Sequence, residues 1–195
     1  MTATGYPLRC QCGTLQGVLT DLKRSNRAVC YCKDCQAFAR ALRQADRVLD
    51  ARGGSDIVQV LPRNLRFTQG LDALACLRLT PKGLFRWYAG CCRTPIGNTL
   101  PTPIMSFIGL VHVCLDTSAV SLDEAFGPVG AWVNTKGAIG DPKPKEEGVG
   151  KTIGWFLRTT LKARFNGDYK RSPFFNPATG APIVTPRVLT TDPLP

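Results

Sequence analysis

Over the first two thirds of the chain the apolar positions fall in short runs punctuated by glycine and proline; a helical spacing takes over in only two places. Leu8-Arg9-Cys10-Gln11-Cys12 and Leu15 to Thr20 flank Gly13, which predicts a hairpin turning there. Arg27 to Cys32 predicts another strand. Ile57 to Leu61, Leu65 to Thr68, Ala73 to Leu79 and Gly83 to Tyr88 follow at the spacing of small antiparallel sheets. The expected class is mainly β with a few helices.

The first helical stretch runs from Asp34, a suitable N-cap, to about Ala45, with Phe38 and Leu42 four residues apart on one face. The second is C-terminal, over residues 146–165, where Val149, Ile153, Phe156, Leu157 and Leu161 make an apolar stripe. Glu146 and Glu147 at its start and Lys162 and Arg164 at its end complement the helix dipole. Such a helix is expected to pack its stripe on the core and wet its other face. GDPKPKEEG before it reads as a linker-like turn, and the Pro- and Asn-rich chain after Gly167 is expected to run irregularly over the surface.

At 195 residues, 44% hydrophobic and 20% charged, the chain is long enough for one domain with a real core and is not of disordered composition. The N-terminus, MTATGYPLRCQC, shows no basic stretch followed by an apolar run, and no apolar stretch approaches the roughly 20 residues that cross a bilayer. A cytoplasmic location and no membrane partner are therefore expected. Nine cysteines in such a chain point to metal binding before disulfides. The formal charge of +11 fits a solvated basic surface with no ligand and equally raises the question of an acidic partner. A small anionic substrate drawn in by the field is one class and nucleic acid, the less favoured, is the other. Lys136 to Arg171 alone holds nine Lys/Arg against four Asp/Glu, a local excess of 9 − 4 = +5.

The chemistry lies in the thiols. CYCKDC places Cys30, Cys32 and Cys35 within six residues, with Cys10 and Cys12 upstream and Cys91 and Cys92 downstream. Thiols two or three residues apart reach one tetrahedral metal ion with little strain and are poorly spaced for disulfides. Cys76 and Cys114 stand alone in apolar runs and read as core residues. The other seven divide as two plus two, and three: one closed site and one open site, for one or two zinc ions. An open position is what separates catalytic zinc from structural zinc, so Cys30, Cys32 and Cys35 are also the candidate catalytic residues.

The order of these motifs, C-x-C-G at Cys10 to Gly13, C-x-C-x-x-C at Cys30 to Cys35, then RWYAGCCRTP at Arg86 to Pro95, resembles the glutathione-dependent formaldehyde-activating family, whose domain centromere protein V shares. The resemblance covers roughly residues 5–115. It implies a tent-like arrangement of small sheets over residues 1–120, with 121–195 as a C-terminal extension packed on the same domain. It also implies a structural zinc on the first C-x-C and a later C-x-x-C, and a labile zinc on Cys30, Cys32 and Cys35 at the glutathione site. The later motif of the family is C-x-x-C-G-T-P. Aligned on Thr94-Pro95, its second cysteine is Cys92, its first falls on Ala89 and its glycine on Arg93. Either Cys91 takes the missing ligand's place, which calls for a kink at Gly90 to turn two adjacent side chains inward, or the site keeps three thiols or no metal.

The activity so implied is that of a carbon–sulfur lyase, in which a thiol such as glutathione, deprotonated near zinc, adds to a small aldehyde to give a hemithioacetal. Lys33 and Arg40 lie near enough in sequence to offset the site's negative charge. The other reading is a non-catalytic, zinc-stabilised module that contacts nucleic acid or protein through its basic surface. Three further signals are weak. Gly150-Lys151-Thr152 lacks the glycine-rich loop after a strand that a phosphate-binding loop requires. His112, the sole histidine, sits in the apolar run GLVHVCL and reads as a satisfied core residue before a partner for a catalytic cysteine. Trp87 and Tyr88 read as packing around the zinc motif.

Overall fold

The short apolar runs fold as strands, and every predicted strand lies within three residues of its expected bounds. The computed structural model describes residues 5–189; residues 1–4 of the N-terminal segment and 190–195 of the tail lie outside the described residues. The strands are β1 (Tyr6–Arg9), β2 (Gln16–Leu19), β3 (Asn26–Cys30), β4 (Ser55–Val60), β5 (Leu65–Gln69), β6 (Leu74–Arg78), β7 (Phe85–Ala89), β8 (Pro95–Thr99), β9 (Ile108–Val111), β10 (Ala131–Val133) and β11 (Arg187–Val188). The helices are α1 (Lys33–Ala41), α2 (Ala45–Val48), α3 (Leu122–Phe126) and α4 (Val149–Phe165). β1, β2 and β5 make a small antiparallel sheet, and the other eight strands form a second sheet in the order β10-β3-β4-β9-β8-β7-β6-β11. β10 and β11 join its two edges in parallel, and the remaining neighbours are antiparallel.

Alternation along the strands of the large sheet sorts its two faces. Val58, Val60, Cys76, Trp87, Ile108 and Leu110 pack with Tyr6, Leu8, Leu19 and Leu65 of the small sheet. Ile57, Leu77 and Val111 point the other way and are covered by Phe38, Ala39 and Leu42 of the α1 segment. Burying Phe38 and Leu42 against that face contributes roughly 1.5–3 kcal/mol each. Trp87, fully buried, lies 4.8 Å from the ring of Phe174 and donates its indole N–H to Thr99 Oγ1 at 3.0 Å. Cys76 and Cys114 are buried core thiols, as read.

Several expectations need correction. α1 begins at Lys33 and Cys32, not Asp34, is its N-cap, the thiol accepting the Cys35 N–H at 3.3 Å. It stops at Ala41, because Arg43 takes a left-handed conformation (φ 56°) that breaks it from the short α2. β3 ends at Cys30, and Tyr31, whose N–H donates to Val133 O at 3.1 Å, and the extended Cys32 lead from it into α1. The tail after Gly167 is no surface strap: Phe174 and Phe175 are core residues, and β11 extends the large sheet.

α4 starts at Val149, not residue 146. Glu147 exchanges backbone hydrogen bonds with Trp132 at 3.0 and 3.1 Å, and Glu146 accepts the Asn134 N–H at 2.8 Å, so both acids tie the approach to β10 and neither opens the helix. The apolar stripe does not pack as one face: Val149 and Phe156 are half-buried, the Phe156 ring 5.5 Å from that of Phe107, but the rest of the stripe turns to solvent. Thr160 and Ala163 face the body, whereas Ile153, Leu157 and Leu161 are exposed. The helix is held in this rotation by Gly148, whose φ of 70° and close approach to Gly130 leave no room for a side chain, and by Trp155 Nε1 donating to Arg24 O at 3.1 Å. Gly150-Lys151-Thr152 falls in its first turn with no strand leading into it.

Candidate metal centre

Two cysteine clusters emerge, each with its sulfurs within 4.8 Å of one another and each able to hold a metal ion: Cys10, Cys12, Cys91 and Cys92 in one, Cys30, Cys32 and Cys35 in the other. In the first, Gly13 in the left-handed region (φ 78°) turns the β1–β2 loop back on itself, with Gly13 N–H donating to Cys10 O at 3.0 Å. Both thiols of the C-x-C pair thereby point the same way. The second pair comes from the β7–β8 turn. Ala89 and Thr94 close it by a 2.9 Å backbone hydrogen bond, and Arg93 N–H donates to Ala89 O at 2.7 Å. Because Cys91 and Cys92 lie in a turn, the opposite-face rule of extended strands does not apply to them, and both sulfurs reach the cluster. The sulfur of Cys91 is 3.8 Å from Cys10, 3.4 Å from Cys12 and 3.9 Å from Cys92.

The bend is not the kink expected at Gly90. That residue keeps an ordinary φ and has room for a Cβ, whereas Arg93 takes the left-handed conformation, φ 59°. Thr94 knits the two halves together: its hydroxyl accepts the Gln11 N–H at 3.0 Å and lies 3.1 Å from the Cys92 sulfur. Leu15 N–H donates to the Cys10 sulfur at 3.3 Å. Hydrogen bonds with Thr14 pull the exposed Cys12 thiol down to about 6, whereas burial raises that of Cys10.

The second cluster sits where β3 runs into α1. Cys30 ends the strand, Cys32 caps the helix and Cys35 lies in its first turn, so the sulfurs collect at the positive end of a helix. Hydrogen bonds from Cys32 and Cys35 hold the Cys30 thiol down, to about 2, against the opposing effect of burial, and Asn134 Nδ2 adds a donor at 3.4 Å. Cys32 and Cys35 are both raised, first by their hydrogen bonds with Cys30, because a thiol beside an anion gives up its own proton less readily. The sulfur of Cys35 is the most enclosed of the three. The link above them is clamped by Gln36, which donates to Tyr31 O at 3.1 Å and to Gly137 O at 2.9 Å.

No fourth His, Cys, Asp or Glu joins this cluster among the described residues. The cation beside it is neither Lys33 nor Arg40; Lys33 is exposed and Arg40 donates to Gln36. It is Arg86, 2% exposed, which stacks 5.5 Å over Phe38 and donates to Asn98 Oδ1 at 3.0 Å. The same guanidinium lies 3.9 Å from the Cys35 sulfur and 3.4 Å from Asp34 Oδ2. Sequence reasoning missed Arg86, Asn98 and Asn134. The alternation of β7 was a usable signal for Arg86, since Phe85, Trp87 and Ala89 take one face and leave Arg86 on the face that α1 covers. Nothing local marks Asn134, which lies 104 residues from Cys30.

His112 is not the satisfied residue expected: its Nδ1 is buried with no partner among the described residues, and burial lowers its pKa. No cysteine pairs with it, since Cys114 turns its thiol to Ile96 O at 3.4 Å. No helix among the described residues is long and apolar enough to cross a membrane.

Comparison with curated proteins finds no match. Among solved structures the chain is similar to the crystal structure of a Rhodobacter sphaeroides protein, a structural-genomics target, at 14% identity, covering 65% of this chain and 98% of that one with a TM-score of 0.41. The model of a family of unknown function, DUF6151, matches residues 2–184, and the chain belongs to that family.

Proposed function

We propose that this is a two-site zinc protein in which Cys10, Cys12, Cys91 and Cys92 form a closed structural site, while Cys30, Cys32 and Cys35 form an open one that activates a small thiol for addition to an aldehyde. The observation that carries this reading is the contrast between four thiols converging on one point and three thiols at a helix start with no fourth protein ligand among the described residues. Zinc–sulfur bonds of about 2.3 Å in a tetrahedron give sulfur–sulfur edges of about 3.8 Å. The separations of 3.4–3.9 Å around Cys91 fit that tetrahedron.

When bound, zinc supplies acidity: it lowers the pKa of a thiol brought to it, and the thiolate is the nucleophile. The chain's own residues prepare the place. The α1 N-terminus and the Asn134 amide stabilise negative sulfur, and Arg86 sets a buried cation beside Cys35. The thiolate attacks the aldehyde carbon, a C–S bond forms, the carbonyl π pair moves to oxygen, and the proton lost by the thiol ends there as the hydroxyl of a hemithioacetal. The net charge of +11 favours an anionic thiol such as glutathione. The likeness to the glutathione-dependent formaldehyde-activating family supports the same substrate pair.

The test is metal analysis combined with product detection. Protein purified under reducing conditions is expected to carry about two zinc ions per chain and to give hemithioacetal signals by NMR with glutathione and formaldehyde above the uncatalysed rate. Cys35→Ser should leave the fold intact, hold about one zinc and lose the activity, whereas Cys92→Ser should fail to fold stably. Absence of metal, or unfolding of Cys35→Ser, overturns the reading.

A further inference from the structure

The outward face of α4 is unusual for a helix on a folded protein. Ile153, Leu157 and Leu161 are 52%, 57% and 58% exposed, and Phe165 is 83% exposed. At about 100° per residue, steps of four advance the position by about 40°, so these side chains form one ridge sweeping about 120° of the helix surface. Lys151, Arg158 and Lys162 line one flank of the ridge and Arg164 the other, and the 17-residue helix carries no Asp or Glu.

A second observation adjoins the first. On the cationic flank, a cleft of about 270 Å³ opens between α4 and the segments around Lys23 and Arg63; Arg24, Trp155, Arg158 and Lys162 complete its charged and aromatic lining. Its one carboxylate, Asp168, is already engaged by Arg63 at 2.8 Å and Arg171 at 3.3 Å. The Arg63 Nε is buried with no partner, and Lys23, Arg158 and Lys162 make no ion pair among the described residues. Like charges gathered in a recess are stable when an anion fills it.

We propose that α4 lies along an anionic lipid surface, with its ridge at the boundary of headgroups and acyl chains and the flanking cations on headgroup phosphates. Each competing occupant explains one feature only. A nucleic-acid strand neutralises the cations but has no use for a ridge of aliphatic side chains. A second copy of this chain covers the ridge but sets cationic flank against cationic flank. An anionic bilayer takes both, the long basic side chains reaching out to the phosphates while the ridge is buried. At 17 residues the helix is about 25 Å long and lies on the surface without spanning it. The expectation of no membrane partner rested on spanning length, which does not bear on a helix lying in the interface. The proposal is independent of the chemistry at the cysteines.

The test is co-sedimentation of the full chain with phosphatidylcholine vesicles containing about 30% phosphatidylserine, and with phosphatidylcholine alone. Binding is expected to the first and to be at least 10-fold weaker to the second. Arg158→Glu with Lys162→Glu should weaken binding at least about 30-fold, and Leu157→Gln with Leu161→Gln about 10-fold or more. All four positions are exposed, so both double variants should keep the wild-type circular dichroism and melting temperature. No binding to the anionic vesicles, or binding that ignores the apolar double variant, overturns the proposal. So does a dimer in sedimentation equilibrium that Leu157→Gln with Leu161→Gln dissolves, which would make the ridge an interface between copies. A single-stranded oligonucleotide bound more tightly than the vesicles, and lost only in the charge variant, would overturn it in favour of nucleic acid.

Discussion

Arg86→Met is the most discriminating single change at the open cluster. It removes a guanidinium that is 2% exposed and leaves most of the side-chain volume filled. The Asn98 carbonyl loses its donor at 3.0 Å, a buried acceptor worth about 1–3 kcal/mol when orphaned. Stacking over Phe38 is worth roughly 0.5–2 kcal/mol more. The ion pair with Asp34 adds little, about 1 kcal/mol at most, because that carboxylate side chain is 65% exposed at 3.4 Å. The expected loss of stability is therefore about 2–4 kcal/mol by urea denaturation of the metal-free protein. Separately, the three thiolates lose the cation 3.9 Å from Cys35, and metal affinity of that cluster should fall about 10–100-fold in competition with a chelator. Arg86→Lys keeps the charge but not the planar fork, so it should recover part of the affinity and little of the stability. If Arg86→Met binds metal as tightly as the wild type, or Arg86→Lys binds no better than Arg86→Met, the charge-balancing role is wrong and Arg86 is a packing residue.

Two further predictions concern the frame around the sites. His112 has its pKa lowered by burial, so below about pH 6.5 the unfolded chain takes up a proton that the folded chain refuses. Its contribution to stability is whole above that pH and is lost as the pH falls further, by up to about 1.4 kcal/mol per pH unit. His112→Gln should flatten this slope between about pH 6.5 and 5.5 in denaturation curves, and an unchanged slope would show that His112 does not carry it. Gly148→Ala places a Cβ 2.2 Å from Gly130 O at a residue with φ 70°. It should cost about 2 kcal/mol or more and raise hydrogen exchange along α4 before the sheets, whereas wild-type exchange in α4 would mean that Gly148 does not set its docking.

Much of the sheet could be read from local pattern because its strands alternate and its turns carry glycine or proline. The β1–β2 hairpin around Gly13 is such a case, and so are the runs that became β4 to β7. Four strands escaped notice: β8 and β9 are buried along their whole length and show no alternation, and β10 and β11 are short and depend on distant partners. β10 pairs in parallel with β3, and β11 with β6, across more than 100 residues of chain, and no local periodicity announces such a pairing. The rotation of α4 was misread for a related reason. An apolar stripe says that one face differs from the other, but close backbone contact at Gly148 decided which face meets the body.

At the cysteines the division is equally clear. Thiol spacing alone determined that Cys30, Cys32 and Cys35 could meet at one point, because residues two and three apart at a strand-to-helix junction have little freedom to separate. It also set the Cys10–Cys12 pair with the Cys91–Cys92 pair, and of the latter two the family resemblance favoured Cys92. Only the tertiary structure decided that Cys91 joins them, since the direction of two adjacent side chains depends on whether the backbone is extended or turned. It alone brought Arg86 and Asn134 to the second cluster, because their place there is set by strand pairing and not by neighbours in the chain.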